Sequence, residues 1–409
     1  MRARRRGRMK TMFRATATAL LLAAATLSSA WAAPCSTRQP FEAWLADVKS
    51  EAHAAGVTPR GLAALDGLTY DPQIVARDRG QGVFQQSFLQ FSDRMVSADR
   101  LLRGGRFLKS EAATFDHIAR TYGVPGPVIV AFWGLETDFG AVMGNMSTLR
   151  SLATLAYDCR RPAMFRAELI DALKIIDRGD LKAADMRGAW AGELGQFQFM
   201  PSYYLKYAVD EDGDGRRDLL RSRADALASA GNFLASLGWR RGEAWLREVR
   251  VPDTLDWKQA DLAIKHPVSV WANWGVTLPN GSALPAEERE ASLHLPMGRL
   301  GPAFLAYDNF QVFLKWNQSL VYATTAAYLA DRLAGAPPIS RGRGRVTPLN
   351  AQDTYDLQRL LSAKGWDPGP IDGKLGTATR TAVREAQGRF GLPADSYPSQ
   401  DLLEALRRN

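Results

Sequence analysis

Pro127-Val128-Ile129-Val130-Ala131-Phe132-Trp133-Gly134-Leu135-Glu136-Thr137 is the stretch that decides the reading of this chain. Val128, Phe132, Leu135 and Phe139 recur at helical spacing, so one face is built for a core. Glu136 falls one turn beyond Phe132, with an indole nearby and Gly140 four residues on to stop the helix. A carboxyl placed among aromatic side chains loses hydration, which disfavours its charged form and raises its pKa. That is the protonation state a general acid needs near neutral pH. A Glu at the solvent edge of a core helix is the plainer alternative.

The pattern from Phe41 to about Gly238 is mainly helical: Phe41, Trp44, Leu45, Val48 and Ala52 share one stripe. Between about Trp239 and Leu300 the texture changes. Arg247–Val251 and Val268–Ala272 are rich in β-branched and aromatic residues, and Pro279-Asn280-Gly281 marks a turn, so a small strand-containing insertion is expected. Helix is expected again from Phe304 through Leu333. Residues 336–347 are Pro-, Gly- and Arg-rich and read as an exposed, flexible linker. Residues 348–409 form a separate small unit of two or three helices.

The 409 residues suffice for two or three domains, and 23% charged with 46% hydrophobic is ordinary for a globular protein. The net charge of +9 falls to +2 once the seven basic residues of 1–32, which hold no acid, are set aside. The basicity is thus a targeting signal, and no nucleic-acid partner is expected. Residues 1–32 have a basic start, an apolar run from Ala19 to Leu27, and Ala30-Trp31-Ala32 as a cleavage site. The run is too short to span a bilayer comfortably. Pro34 before Cys35 argues against lipidation. The expectation is a periplasmic protein, exported by a cleaved signal, with 33–335 as its main domain. Cys35 and Cys159 are the only cysteines; in an oxidising compartment they read as one disulfide, worth about 4–5 kcal/mol in the chain-entropy model.

The four histidines show no HExxH spacing, the cysteines no CxxC, and there is no Gly-x-Ser-x-Gly elbow or complete phosphate loop, so zinc, serine-hydrolase and nucleotide chemistry are set aside. Two segments join the Glu136 helix. In Trp190-Ala191-Gly192-Glu193-Leu194-Gly195-Gln196-Phe197-Gln198-Phe199-Met200-Pro201-Ser202, glycines let backbone approach a ligand while Gln side chains reach hydroxyls or amides; a glycine-relieved packing loop is the alternative. In Trp316-Asn317-Gln318-Ser319-Leu320-Val321-Tyr322, read as one helix, Tyr322 lies a turn beyond Gln318.

Together these three segments resemble the lytic murein transglycosylases of the B type, glycoside hydrolase family 103, over about Phe41 to Leu333. The resemblance implies a mainly α, lysozyme-like helical catalytic domain with a substrate groove for peptidoglycan glycan strands. It implies that Glu136 is the sole catalytic residue: it protonates the oxygen linking N-acetylmuramic acid to N-acetylglucosamine, then accepts the C6 hydroxyl proton as that oxygen attacks C1. A 1,6-anhydromuramoyl end results and no water is consumed, where ordinary glycosidases use two carboxylates. Gln198, Asn317, Tyr322, Trp316 and Glu193 would line the groove. Ala189 stands where relatives carry Ser, Trp316 where Tyr is common, and Glu193 where Ala is common. Glu193 is read as solvated or structural, with a second carboxylate for muramidase hydrolysis as the rival. A non-catalytic wall-binding protein is the rival from another class.

Asp210-Glu211-Asp212-Gly213-Asp214-Gly215-Arg216-Arg217-Asp218 begins like an EF-hand loop, but its twelfth position is Arg221. By the resemblance Asp225 completes a structural calcium site with Asp210, Asp212 and Asp214; the alternative is a turn held by Asx hydrogen bonds. No cofactor is required for catalysis. The C-terminal unit resembles the type 1 peptidoglycan-binding domain through Leu357-Gln358, Gly369-Pro370-Ile371-Asp372-Gly373, Leu375-Gly376 and Ala382-Val383, which implies three helices.

Overall fold

The computed structural model describes residues 39–80 and 86–408. Its main body is helical around the Glu136 helix, Gly126–Thr137. Pro125 caps the start and Pro127 occupies the first turn, where a missing N–H costs nothing. From Val128 to Trp133 every residue is at most 1% exposed. The sequence pattern promised one buried face; the helix is instead enclosed by Ala98–Ser110, Ala112–Tyr122, Arg223–Ser236 and Leu320–Leu333. A helix apolar all round is a central helix, and periodicity carries no signal when every face is buried.

The helix also stops earlier than Gly140. Asp138 (φ 52°) and Phe139 (φ 64°) already turn left-handed ahead of Gly140 (φ 82°). Such conformations cost a non-glycine residue roughly 1 kcal/mol or more. Arg100 and Arg103 hold the Asp138 carboxylate at 3.1 and 2.5 Å, and the Arg103 bond keeps it below the usual Asp range. The sharp stop leaves Glu136 in the last turn.

The insertion is a four-stranded antiparallel sheet in the spatial order Leu246–Val249, Ala303–Ala306, Glu290–His294, His266–Pro267. Val249, Leu293, Leu305 and Tyr307 contribute to a core of its own. Two expectations fail here. Val268–Asn273 is a short helix, entered through Pro267, with Trp271 buried and its indole N–H on Ala291 O at 2.9 Å; tertiary anchoring overrides β-propensity. Phe304 lies in a strand, and the segment after it is two helices, Asp308–Trp316 and Leu320–Leu333. Asn317 is outside both (φ −144°, ψ 118°), its Oδ1 accepting from Ser319 N at 3.0 Å, while Ser319 caps the next helix. Asx turns and Ser caps compete with a continuous helix, although the apolar spacing runs on through them.

Residues 351–363, 377–389 and 400–408 form the expected three C-terminal helices around Leu357, Leu361, Val383, Leu402 and Leu406. The segment 336–347 is not a free arm. Ser340 N donates to Glu248, Arg341 pairs with Asp93 at 3.0 Å, and Arg343 reaches Val251 O at 3.0 Å and Asp253 at 2.8 Å. The C-terminal unit is docked as well. Buried Arg380 donates to Leu295 O, Ser396 Oγ to Ala260 O at 2.6 Å, and Thr381 Oγ1 to Asp261 at 3.0 Å. A composition rich in Gly, Pro and Arg signals exposure, and these arginines use that exposure to pin the chain down.

Candidate active site

Oε1 of Glu136 accepts two hydrogen bonds, from Trp316 Nε1 at 2.9 Å and Tyr322 Oη at 2.5 Å. Burial is the first cause that pushes the Glu136 carboxyl above the usual range; the Tyr322 and Trp316 donors oppose it, and the charge of Glu193 adds to it. Tyr322 is driven far above its ordinary range by burial and by the carboxylate beside it, so it remains a neutral donor. The indole expected at Glu136 was its neighbour in sequence. Trp133 packs instead on Phe107 and Phe139, at 4.7 and 5.5 Å between ring centres. The indole bonded to the carboxyl is Trp316, brought from the other end of the domain.

Aromatic packing fixes that indole. Trp316 stacks on Phe132 at 4.4 Å and 28°, and meets Phe233 at 5.2 Å, Phe199 at 5.9 Å and Phe197 at 6.2 Å. Phe132 lies one turn before Glu136, so one helix carries both the carboxyl and the platform for its donor. Phe233 belongs to the same aromatic cluster. Its place here has no local signal, because the contact is made between helices.

The glycine-rich segment lies against the end of the Glu136 helix: Thr137 Oγ1 donates to Gln196 O at 2.7 Å and accepts from Gly140 N at 2.9 Å. Gly192 (φ 96°) would set a Cβ against the Leu152 side chain, so at this position the packing role holds literally. Gln198 also adopts a left-handed backbone (φ 52°), and its Nε2 donates to Gly195 O at 2.9 Å and Met143 O at 3.3 Å. Its amide nitrogen therefore holds the loop and its carbonyl is the group left for a ligand.

Glu193 is half-buried, with its Oε2 out of contact with solvent. Burial is the leading cause that raises its pKa, and its Oε2 has no hydrogen-bond partner among the described residues. Asn317 and Tyr322 line a cleft of about 1000 Å³ whose opposite wall includes Lys374, Pro370 and Tyr397 of the C-terminal unit. The third motif thus faces two ways, Trp316 and Tyr322 toward the carboxyl and Asn317 toward the cleft.

In the acidic loop, Asp210, Asp212 and Asp214 offer carboxylate oxygens within 4.8 Å of one another. Asp225 does not join them. Its oxygens accept Glu211 N at 2.8 Å and Asp218 N at 2.8 Å, which makes it the anchor of the loop. Asp210 and Asp212 also take loop N–H groups, from Gly213 at 2.8 Å and Asp214 at 3.2 Å, as an Asx-held turn would. Each carboxylate oxygen has a second lone pair, so three oxygens fit a hard divalent cation without Asp225. Cys159 is disulfide-bonded; Cys35 lies outside the described residues, as does the whole segment 1–32.

A family model described as a transglycosylase SLT domain matches residues 40–331. The chain belongs to the SLT transglycosylase family. A second model, described as a putative peptidoglycan binding domain, matches residues 350–406. The membrane-bound lytic murein transglycosylase B of Escherichia coli (strain K12) is 29% identical over 253 residues, 61% of this chain and 68% of that one. The crystal structure of SltB3 from Pseudomonas aeruginosa in complex with NAG-NAM-pentapeptide is similar at a TM-score of 0.84 and 41% identity, over 90% of this chain and 100% of that one. Escherichia coli Slt35 in complex with calcium is similar at a TM-score of 0.61 and 26% identity, over 73% and 93%. Membership makes this SLT family enzyme a lytic transglycosylase of peptidoglycan, and the mainly helical fold agrees with it.

Proposed function

We propose that the enzyme cleaves the β-1,4 bond between N-acetylmuramic acid and N-acetylglucosamine without water, leaving 1,6-anhydromuramoyl ends, with Glu136 acting alone as acid and then base. The observation that carries this is one carboxyl, raised by burial yet held by two donors. Burial favours the protonated form that delivers a proton to the leaving oxygen. The donors stabilise the carboxylate that remains, so it can take the C6 hydroxyl proton. Gln198, Asn317 and the cleft wall of the C-terminal unit would hold the glycan strand. Mass spectrometry of digested glycan is the test: anhydromuramoyl ends are expected, and a digest holding reducing muramic acid alone overturns the reading.

One observation favours a second reading, a hydrolytic muramidase: Glu193 is a half-buried carboxylate whose charge raises Glu136. In that case Glu193→Gln abolishes turnover. In the single-carboxylate reading Glu193→Gln keeps activity and removes a negative charge that raises Glu136. Glu136 then ionises earlier, so the alkaline limb of kcat/KM moves to lower pH. A pH–rate profile of the variant decides.

The reading extends to an exported, non-lipidated periplasmic enzyme with a cleaved signal at 1–32, a catalytic domain at 33–335, a linker at 336–347 and a wall-binding unit at 348–409. Among the described residues no helix is long and apolar enough to cross a membrane. Calcium held by Asp210, Asp212 and Asp214 would pin the loop and take no part in the reaction. Adding calcium to chelator-treated protein is then expected to raise Tm by a few degrees, a shift of about 1–3 kcal/mol at saturating ion; an unchanged Tm removes calcium from the reading.

A further inference from the structure

We infer that Trp316 is a positioning residue that assigns the two oxygens of Glu136 separate tasks, leaving Oε2 as the only oxygen that gives and takes the proton. This rests on the single-carboxylate reading above. Both donors converge on Oε1, at 2.9 Å from Trp316 Nε1 and 2.5 Å from Tyr322 Oη. Oε2 accepts nothing from the described residues and is not among the buried atoms left without a partner.

The asymmetry follows from what each donor can do. A phenol can rotate and accept, so Tyr322 alone would tolerate a proton on either oxygen. An indole nitrogen carries a hydrogen and has no lone pair in the ring plane, so it only donates. A proton on Oε1 would take one of its two in-plane lone pairs, so either Tyr322 must reverse and accept or the indole bond is lost, whereas a carbonyl Oε1 keeps both donors. The acid form therefore keeps Oε1 as the carbonyl oxygen and carries its hydrogen on Oε2. After transfer, the charge-assisted bonds to Oε1 stabilise the carboxylate, and Oε2 is the unencumbered base. Stacking on Phe132 at 4.4 Å, with Phe233, Phe199 and Phe197 around the other edges, removes the freedom that would let the indole swing away. One oxygen thus performs both transfers without rotation of the carboxyl between them, which is the advantage of fixed geometry over two sequential searches.

The test is Trp316→Phe in the full chain, which keeps the aromatic stack and deletes the donor, with Trp316→Tyr as the variant that returns one. Losing a donor to the carboxylate raises the Glu136 pKa, so the alkaline limb of kcat/KM should move to higher pH, by about half to one unit. Turnover should fall about tenfold or more, the effect of one charge-assisted bond, with KM little changed. Trp316→Tyr should recover most of both. Thermal unfolding of each variant establishes that it is folded before its kinetics are compared. A Trp316→Phe enzyme with the alkaline limb in place and only KM raised would make Trp316 a sugar platform and overturn the assignment. Product analysis separates the two levels. Anhydromuramoyl ends with an unmoved limb leave the single-carboxylate reading standing and sink this inference; reducing ends alone sink that reading whatever the limb does.

Discussion

Glu136→Gln is expected to lose about a thousandfold or more in turnover while the protein becomes more stable. One group is asked to serve as acid and as base, and each such contribution is typically about 10²–10⁴-fold. Gln is nearly isosteric, and its carbonyl oxygen still accepts from Trp316 and Tyr322, so the clamp and the aromatic stack survive. The gain in stability, about 1 kcal/mol, comes from removing a carboxyl that burial penalises when charged. Its pH dependence has a definite sign. Glu136 binds its proton more tightly in the folded state than in the unfolded chain, so its contribution is fully present below the unfolded pKa. That contribution is lost as pH rises through the raised folded value. The Tm difference between Glu136→Gln and the parent should therefore be small in acid, widen as pH rises, and level off. Thermal scans across pH measure it. A gap that narrows toward neutral pH would mean that the carboxyl is not penalised by burial, and the proposed acid would lose its basis.

Gly188→Ala should cost stability heavily although it adds a single methyl. Gly188 pairs with Met146 in a two-stranded ladder, and a Cβ there would lie far inside van der Waals contact with the backbone oxygen of Glu193. That oxygen already accepts from Ala189 N at 3.0 Å, so it cannot yield without unmaking the turn that presents Glu193 and Gln198. An insertion with no soft neighbour costs about 3 kcal/mol. Gly105→Ala is the contrast. It sits within the helix Ala98–Ser110 with nothing near its Cβ, and helix propensity predicts a gain of about 1 kcal/mol. Urea denaturation of both should give opposite signs. Equal and small effects would mean that the loop around Gly188 relaxes freely, in which case the glycines of this segment serve flexibility and not close packing.

What was legible in the chain and what was not divide along a physical line. Glu136, Trp316 and Tyr322 were legible because each stands in a short motif at fixed spacing, and motifs survive without knowledge of what packs on them. The helix break at Asn317–Ser319 was hidden because apolar spacing runs on through an Asx turn and a Ser cap. Val268–Asn273 was hidden because a buried Trp271 indole bond outweighs a weak β preference. Asp225 was placed with the metal ligands by the resemblance; the carboxylates that cluster are those of Asp210, Asp212 and Asp214, and Asp225 anchors backbone N–H groups across the loop. The pinning of segment 336–347 was illegible for another reason: an exposed arginine in a Gly-rich stretch looks the same whether it meets water or Asp93.

The family, the helical body and a candidate acid, Glu136, can be read from the chain alone, since these depend on local pattern and residue chemistry. Only the tertiary structure decided what that acid is. It replaced the neighbouring Trp133 with the distant Trp316 as the indole at Glu136, and it half-buried Glu193. It also gave both donors to one carboxyl oxygen. Spacing along a chain fixes which side chains share a helix face, but desolvation and hydrogen-bond partners are set by what other elements bring to that face.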